Sequence, residues 1–197
     1  MTRSNLVSIG LRAKTGRAIA VVLGGRPDAP VVTLKTEISL VDPKLPATQQ
    51  PYHVVMELPW PQWQQAVTKT ATAIEHIAAK ALASLISELQ ARAYQPIGLA
   101  IVGAPDRDLV RIGNPHIRAH AAEGVLFRHV LELAAEANGV KYRTFSDRDF
   151  NKAVAAELNQ NYSQIRKDLD NLRKSVSPPW RTDEKQAAMA AWMVLHG

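Results

Sequence analysis

Three groups of side chains in this sequence have the chemistry to act on something. His116, His120 and Glu123 fall at i, i+4 and i+7 of a helical stretch. Two imidazoles and a carboxylate so spaced share one helix face and could ligate a transition metal. The same spacing is common on solvated helix faces, and a further ligand would have to come from elsewhere. The sequence by itself therefore assigns no metal to them. Asp106 and Asp108 follow an almost wholly apolar stretch, 97–102. Ligands sit at the ends of such strands in open α/β sheets, although aspartates beside Pro105 are also ordinary turn formers. Lys14-Thr15-Gly16-Arg17 is a basic turn between two apolar runs, with too few glycines to cradle a phosphate. The chain has no cysteine, which excludes disulfides, thiolate metal sites and a cysteine nucleophile. It also has no Gly-x-Ser-x-Gly elbow for a hydrolase triad.

The elements that must position these groups follow from periodicity. Apolar runs at 6–11 and 18–23 flank the basic turn and predict a β-hairpin, with Gly10 offering close backbone approach inside its first strand. A third strand is expected over 31–40, completing an antiparallel meander. The stretch 41–65 carries Pro43, Pro46, Pro51, Pro59 and Pro61 and reads as an irregular insertion. It holds Tyr52, His53, Trp60 and Trp63, read either as aromatic surface anchors or as a platform on which bases stack. A long helix is expected over 65–94, with Val67, Ala71, Ile74, Ala78, Ala81, Leu82, Leu85 and Leu89 on one stripe. A buried strand at 97–102 follows, then a helix capped by Asn114-Pro115 and stopped by Asn138-Gly139. The reading continues with a strand at 140–145 and a short helix capped by Ser146-Asp147. A helix marked by Ile165, Leu169, Leu172 and Val176 precedes a last helix capped by Thr182, with Asp183 and Glu184 in its first turn.

That order of three strands, a helix, a strand, a helix, a strand and then helices resembles the ribonuclease H-like superfamily. It is closest to Holliday-junction resolvases of the RuvC type. The motifs carrying the likeness are the opening Ile9-Gly10, Ala121-Ala122-Glu123-Gly124, Asn151-Lys152-Ala153-Val154 and Asp183-Glu184-Lys185-Gln186-Ala187-Ala188. The resemblance implies an α/β fold, with a mixed sheet of three antiparallel then two parallel strands flanked by helices. It also implies carboxylates holding two Mg²⁺ ions for phosphodiester cleavage. Set against that pattern, Leu11 falls at the first acidic position and Gly103 or Ala104 at the second. Asp183 falls at the third and the neutral Gln186 at the fourth.

The whole of 1–197 is accordingly expected to be one such domain, with a degenerate site. Its role would be nucleic-acid-related binding or assembly, on DNA or RNA. The alternative is an Mg²⁺-dependent endonuclease or resolvase whose site is rebuilt from Asp106, Asp108, Asp183 and Glu184. Lys and Arg exceed Asp and Glu by 6, and a pI near 9.7 favours a polyanionic partner. Arg12, Lys14, Arg17 and Lys152 are the cations expected to face it. No run approaches the ~18 apolar residues of a membrane span, and Met1–Asn5 shows no signal core, so a cytoplasmic protein with no membrane partner is expected. A homodimer is expected as well. The long helix would overhang the sheet and bring its stripe, with the Trp60/Trp63 segment, to the contact.

Overall fold

Residues 5–197 are described by a computed structural model; Met1 to Ser4, where the absent signal core was noted, lie outside the described residues. β1 (Leu6–Lys14), β2 (Arg17–Arg26) and β3 (Ala29–Ser39) form the expected antiparallel meander. Gly16, at φ 74°, closes the first turn in a conformation that other residues rarely adopt. β4 (Gln95–Gly103) pairs parallel with β1, and β5 (Tyr142–Ser146) pairs parallel with β4. The five strands lie in the order β3-β2-β1-β4-β5. This is the mixed sheet of the ribonuclease H-like fold.

Strand alternation assigns the two faces of the sheet. Val7, Ile9, Leu11 and Ala13 of β1 enter a core shared with α2 (Trp63–Ala91) and α3 (Pro115–Ala137). Residues such as Val21, Ala100 and Val102 enter the opposite core with α6 (Thr182–His196). α4 (Phe150–Glu157) and α5 (Tyr162–Leu172) add Phe150, Val154, Ile165 and Leu169 to that second core. α6 lies directly on the strands because both surfaces are small. Ala187, Ala188, Ala190 and Ala191 are fully buried, and Gly10 of β1 faces the helix backbone.

The helix α2 has 29 residues, about 44 Å at ~1.5 Å per residue. Its stripe does not overhang. Val67, Ile74, Ala78, Leu82, Leu85 and Leu89 are buried within the chain, and Ala71 and Ala81 are partly buried against the same core. The reason is the companion helix α3, which is 23 residues long and packs against it. The C-terminal helices cover the other face of the sheet. The apolar stripe is thus satisfied internally and gives no ground for a dimer contact. Leu85→Asp, which places a charge at a site only 5% exposed, should unfold the protein rather than dissociate an oligomer. The expected cost is several kcal/mol, read as lost helical circular dichroism with no prior change in mass.

Between β3 and α2 the prolines open short helical turns rather than merely breaking helices. Pro46 and Pro51 stand at the start of a 3-10 turn and of α1 (Pro51–Val54). A residue without an N–H is tolerated there, since that donor has no intrahelical partner. Trp63 is buried and donates its indole N–H to the Leu58 carbonyl at 2.8 Å. Trp60 meets Trp63 edge-on, and the Arg118 guanidinium lies 4.8 Å from its ring centre. The two rings act as anchors of this segment and do not form an open stacking platform. Two expected caps also differ. Arg181, not Thr182, precedes α6, and its N–H donates to Glu184 Oε2 at 2.7 Å. Asp147 lies in the turn before α4 and is drawn away by Arg12. Among the described residues, no helix is long and apolar enough to cross a membrane.

Candidate functional site

The three parallel strands β1, β4 and β5 end together at one edge of the sheet, beside the first turn of α6. Even-numbered residues of β1 point to the α6 side, so Arg12 and Lys14, and not Leu11, face this edge. Leu11 is fully buried in the core on the opposite face. Leu11, read as the first acidic position, therefore lies on the face away from Asp183, because a one-residue step along a strand reverses the face. Arg12 donates to Asp147 Oδ2 at 3.0 Å and to the Val102 carbonyl at 3.3 Å. Its Nε lies 3.5 Å from Asp183 Oδ1, and Lys14 Nζ lies 3.4 Å from the same carboxylate. The Arg12 side chain is only 11% exposed, against about a third for its two acidic partners, 33% and 30%.

The other expected acids are engaged elsewhere. Glu184 is buried and closes the N-terminus of its own helix. Asp108 accepts from the Val110 N–H and pairs with Arg111, both within its own turn. Asp106 accepts from Arg128 of α3 at 2.6 Å. Arg128 also donates to the Ala104 carbonyl and packs where a Cβ on Gly103 would sit, 2.7 Å from its Cγ. Thus the end of β4, like the end of β1, is covered by a guanidinium. Asp106, Asp108, Asp183 and Glu184 do not converge. Hard cations such as Mg²⁺ need several charged oxygens around one point. A pair of carboxylates already bridged by Arg12 and approached by Lys14 does not fit a two-Mg²⁺ centre.

Of the cations expected to face a polyanion, Arg12 is enclosed and Lys14 is shared with Asp183. Arg17 pairs with Glu37 at 3.5 Å, and Lys152 is exposed on α4. A more basic surface lies nearby. A crevice of about 520 Å³ between α4, α5 and α6 is lined by Arg166, Arg181, Lys185, Gln186 and Asn151, with no carboxylate in its lining. Lys185 also reaches Asp170 Oδ1 at 2.8 Å. That contact holds the Asp170 carboxyl below its ordinary range, chiefly by hydrogen bonding.

A second constellation involves residues already singled out as ligands, joined by His53, which was read only as part of the aromatic loop. His116 and His120 of α3 have their Nε2 atoms 3.1 Å apart. His53, from α1, stacks edge-on to both, with ring centres 4.9 and 4.4 Å away. Glu123, the third member of the expected triad, is fully buried and meets His53 instead. Its Oε1 accepts from His53 Nδ1 at 2.8 Å and from the His53 backbone N–H at 3.3 Å. Tyr52 lies against the same carboxylate. Burial, and then the Glu123 charge, push its phenol above the ordinary range. Among the described residues, His53, His116 and His120 are the one group of three whose ligand atoms could surround a metal, all within 4.8 Å of one another. His53 was invisible to sequence spacing because it lies outside the helix that carries the other two.

No protein-family model matches this chain, and no curated protein matches it. Solved structures do. The Thermus thermophilus RuvC structure superposes with a TM-score of 0.53 at 10% identity, over 95% of this chain and 91% of that one. T. thermophilus RuvC in complex with a Holliday junction substrate gives 0.50 at 12% identity, over the same 95% and 91%. The yeast mitochondrial Holliday junction resolvase gives 0.48 at 12% identity, over 98% of this chain and 79% of that one. The likeness to the two RuvC structures shows the fold, which is ribonuclease H-like and of the RuvC type.

Proposed function

We propose that this chain is a catalytically degenerate RuvC-like protein that binds nucleic acid without cutting it. The observation that carries the reading is Arg12. Its guanidinium bridges Asp147 and Asp183 where the strand ends meet α6, so a fixed monovalent cation answers these carboxylates. An arginine cannot coordinate a water and lower its pKa as a divalent ion does. The fold would then be kept for its shape and its basic surface. The crevice lined by Arg166, Arg181 and Lys185 suits a phosphate backbone, since no acid in its lining opposes one. The RuvC structure solved with a Holliday junction makes branched DNA the first substrate to try.

The test uses the purified full chain with four-way, duplex and single-stranded DNA, and with RNA of matched sequence, in Mg²⁺ or Mn²⁺. The expected result is a retarded complex and no cleavage. Affinity should fall steeply as salt rises, because binding releases counterions from the phosphates. The double variant Arg166→Glu, Arg181→Glu should weaken binding by at least tenfold while leaving the melting temperature within a few degrees, both side chains being exposed. Cleavage that survives rigorous purification and vanishes in Asp183→Ala would overturn the reading in favour of a metal-dependent nuclease. An absence of any retarded species at low salt would remove the nucleic acid.

A further inference from the structure

We propose that His53, His116 and His120 form a binding site for one transition-metal ion of the Zn²⁺ class, with Glu123 as the group that positions His53. The site is separate from the strand-end carboxylates and pins the α1 segment to α3.

The tautomer of His53 is fixed by its partner. A carboxylate only accepts, so the His53 Nδ1 facing Glu123 Oε1 carries the proton. In the neutral ring, Nε2 then holds the free electron pair. That nitrogen is buried and has no hydrogen-bond partner, and the same is true of Glu123 Oε2. Buried polar atoms without partners are uncommon, and an absent ion is one of the few reasons for them. A hydrogen bond between His116 and His120 would explain their 3.1 Å approach, but it leaves the His53 nitrogen unanswered. A metal answers all three rings at once. At a Zn–N distance of ~2.1 Å, tetrahedral ligands stand about 3.4 Å apart. The three ligand atoms already lie within 4.8 Å of one another, and His116 and His120 are exposed. The rings meet pairwise at 79°, 68° and 84°, so no two of them stack face to face.

The donor set selects the ion. Three imidazole nitrogens suit Zn²⁺, Co²⁺, Ni²⁺ or Cu²⁺ and offer nothing to Mg²⁺. The carboxylate–histidine arrangement is the usual means by which a ligating imidazole is oriented and made more basic. The fourth position opens to solvent on the side of the two exposed histidines. It would be filled by water or by an anionic group from outside.

The experiment is equilibrium dialysis of the tag-free full chain against Zn²⁺, with Co²⁺ as the spectroscopic probe. The expected result is one equivalent bound, the intense visible bands of four-coordinate Co²⁺, and a melting temperature that climbs with free Zn²⁺ but not with Mg²⁺. His116→Ala and His120→Ala remove exposed side chains and should leave the fold intact. Each should weaken binding by more than the ~10–100-fold expected for Glu123→Gln, which removes only the positioning charge. If Glu123→Gln does not fold, His53→Ala replaces it and should behave as the other two histidine variants do. No saturable binding to the folded wild type overturns the proposal, as does binding that His116→Ala and His120→Ala leave unchanged. Glu123→Gln that folds and binds as tightly as wild type overturns the positioning role.

Discussion

Gly10→Ala is expected to leave little folded protein under conditions where the wild type is fully native. A Cβ added at Gly10 would lie 1.8 Å from the Ala187 carbonyl oxygen and 2.6 Å from the Ala191 nitrogen. Both are backbone atoms of α6, so no rotamer change relieves the overlap. The helix would have to lift from β1, β2 and β4 together, because it packs on all three. Ordinary overpacking costs ~1–3 kcal/mol, and this substitution should exceed that against a total stability of roughly 5–15 kcal/mol. Urea unfolding followed by circular dichroism reads the loss directly. Gly113→Ala is the control. A Cβ at Gly113 meets nothing within 4 Å, and its backbone is not in the left-handed region. That variant should match the wild type or gain a few tenths of a kcal/mol from a stiffer unfolded chain. A Gly10→Ala protein melting within a few degrees of wild type would show that α6 does not seat on β1 as described.

The same glycine explains why much of the fold was legible. A glycine inside an apolar strand signals close approach, and an alanine-rich final helix supplies the surface that approaches. Hairpin, meander and both long helices follow from periods of two and 3.6 in the residues. What could not be read was sidedness and company. Leu11 and Arg12 are adjacent, and motif likeness placed the acid position on the first. Only the sheet shows that Leu11 belongs to the α2 and α3 core and Arg12 to the Asp183 side. The overhang expected of α2 failed for a related reason. Helix length is visible in sequence, but the partner that covers the excess is another helix of similar length, packed beside it. His53 is the clearest omission. Its short helix was hidden in a proline-rich stretch, and its two histidine neighbours are more than sixty residues away. Glu123, at i+7 from His116, lay on the correct face but holds His53 instead of joining the ligands directly.

Arg12→Asp should make the stability of the protein depend on Mg²⁺. In the wild type the Arg12 guanidinium neutralises Asp147 and Asp183 from a side chain only 11% exposed. Replacing it with a carboxylate removes both ion pairs and sets three like charges around one point. Breaking a buried pair costs ~3–5 kcal/mol. The two acids are about a third exposed, so the lower end, about 3 kcal/mol, is expected in chelator. Carboxylates crowded in this way are the donors that a hard divalent cation takes. A free ion at a hundred times its dissociation constant would restore about 2.7 kcal/mol. For a chain of this length that raises the melting temperature by roughly 5–11 °C. Arg12→Asn separates the two effects. It removes the guanidinium without adding charge, so it should be destabilised yet gain little from Mg²⁺ or Mn²⁺. Lys14 still lies against Asp183 and repels an incoming cation. The pair Arg12→Asp with Lys14→Ala should therefore respond at lower metal concentration than Arg12→Asp alone. If neither variant gains stability with added Mg²⁺ or Mn²⁺, the carboxylates at the strand ends do not form a latent metal site, and the guanidinium is not standing in for an ion.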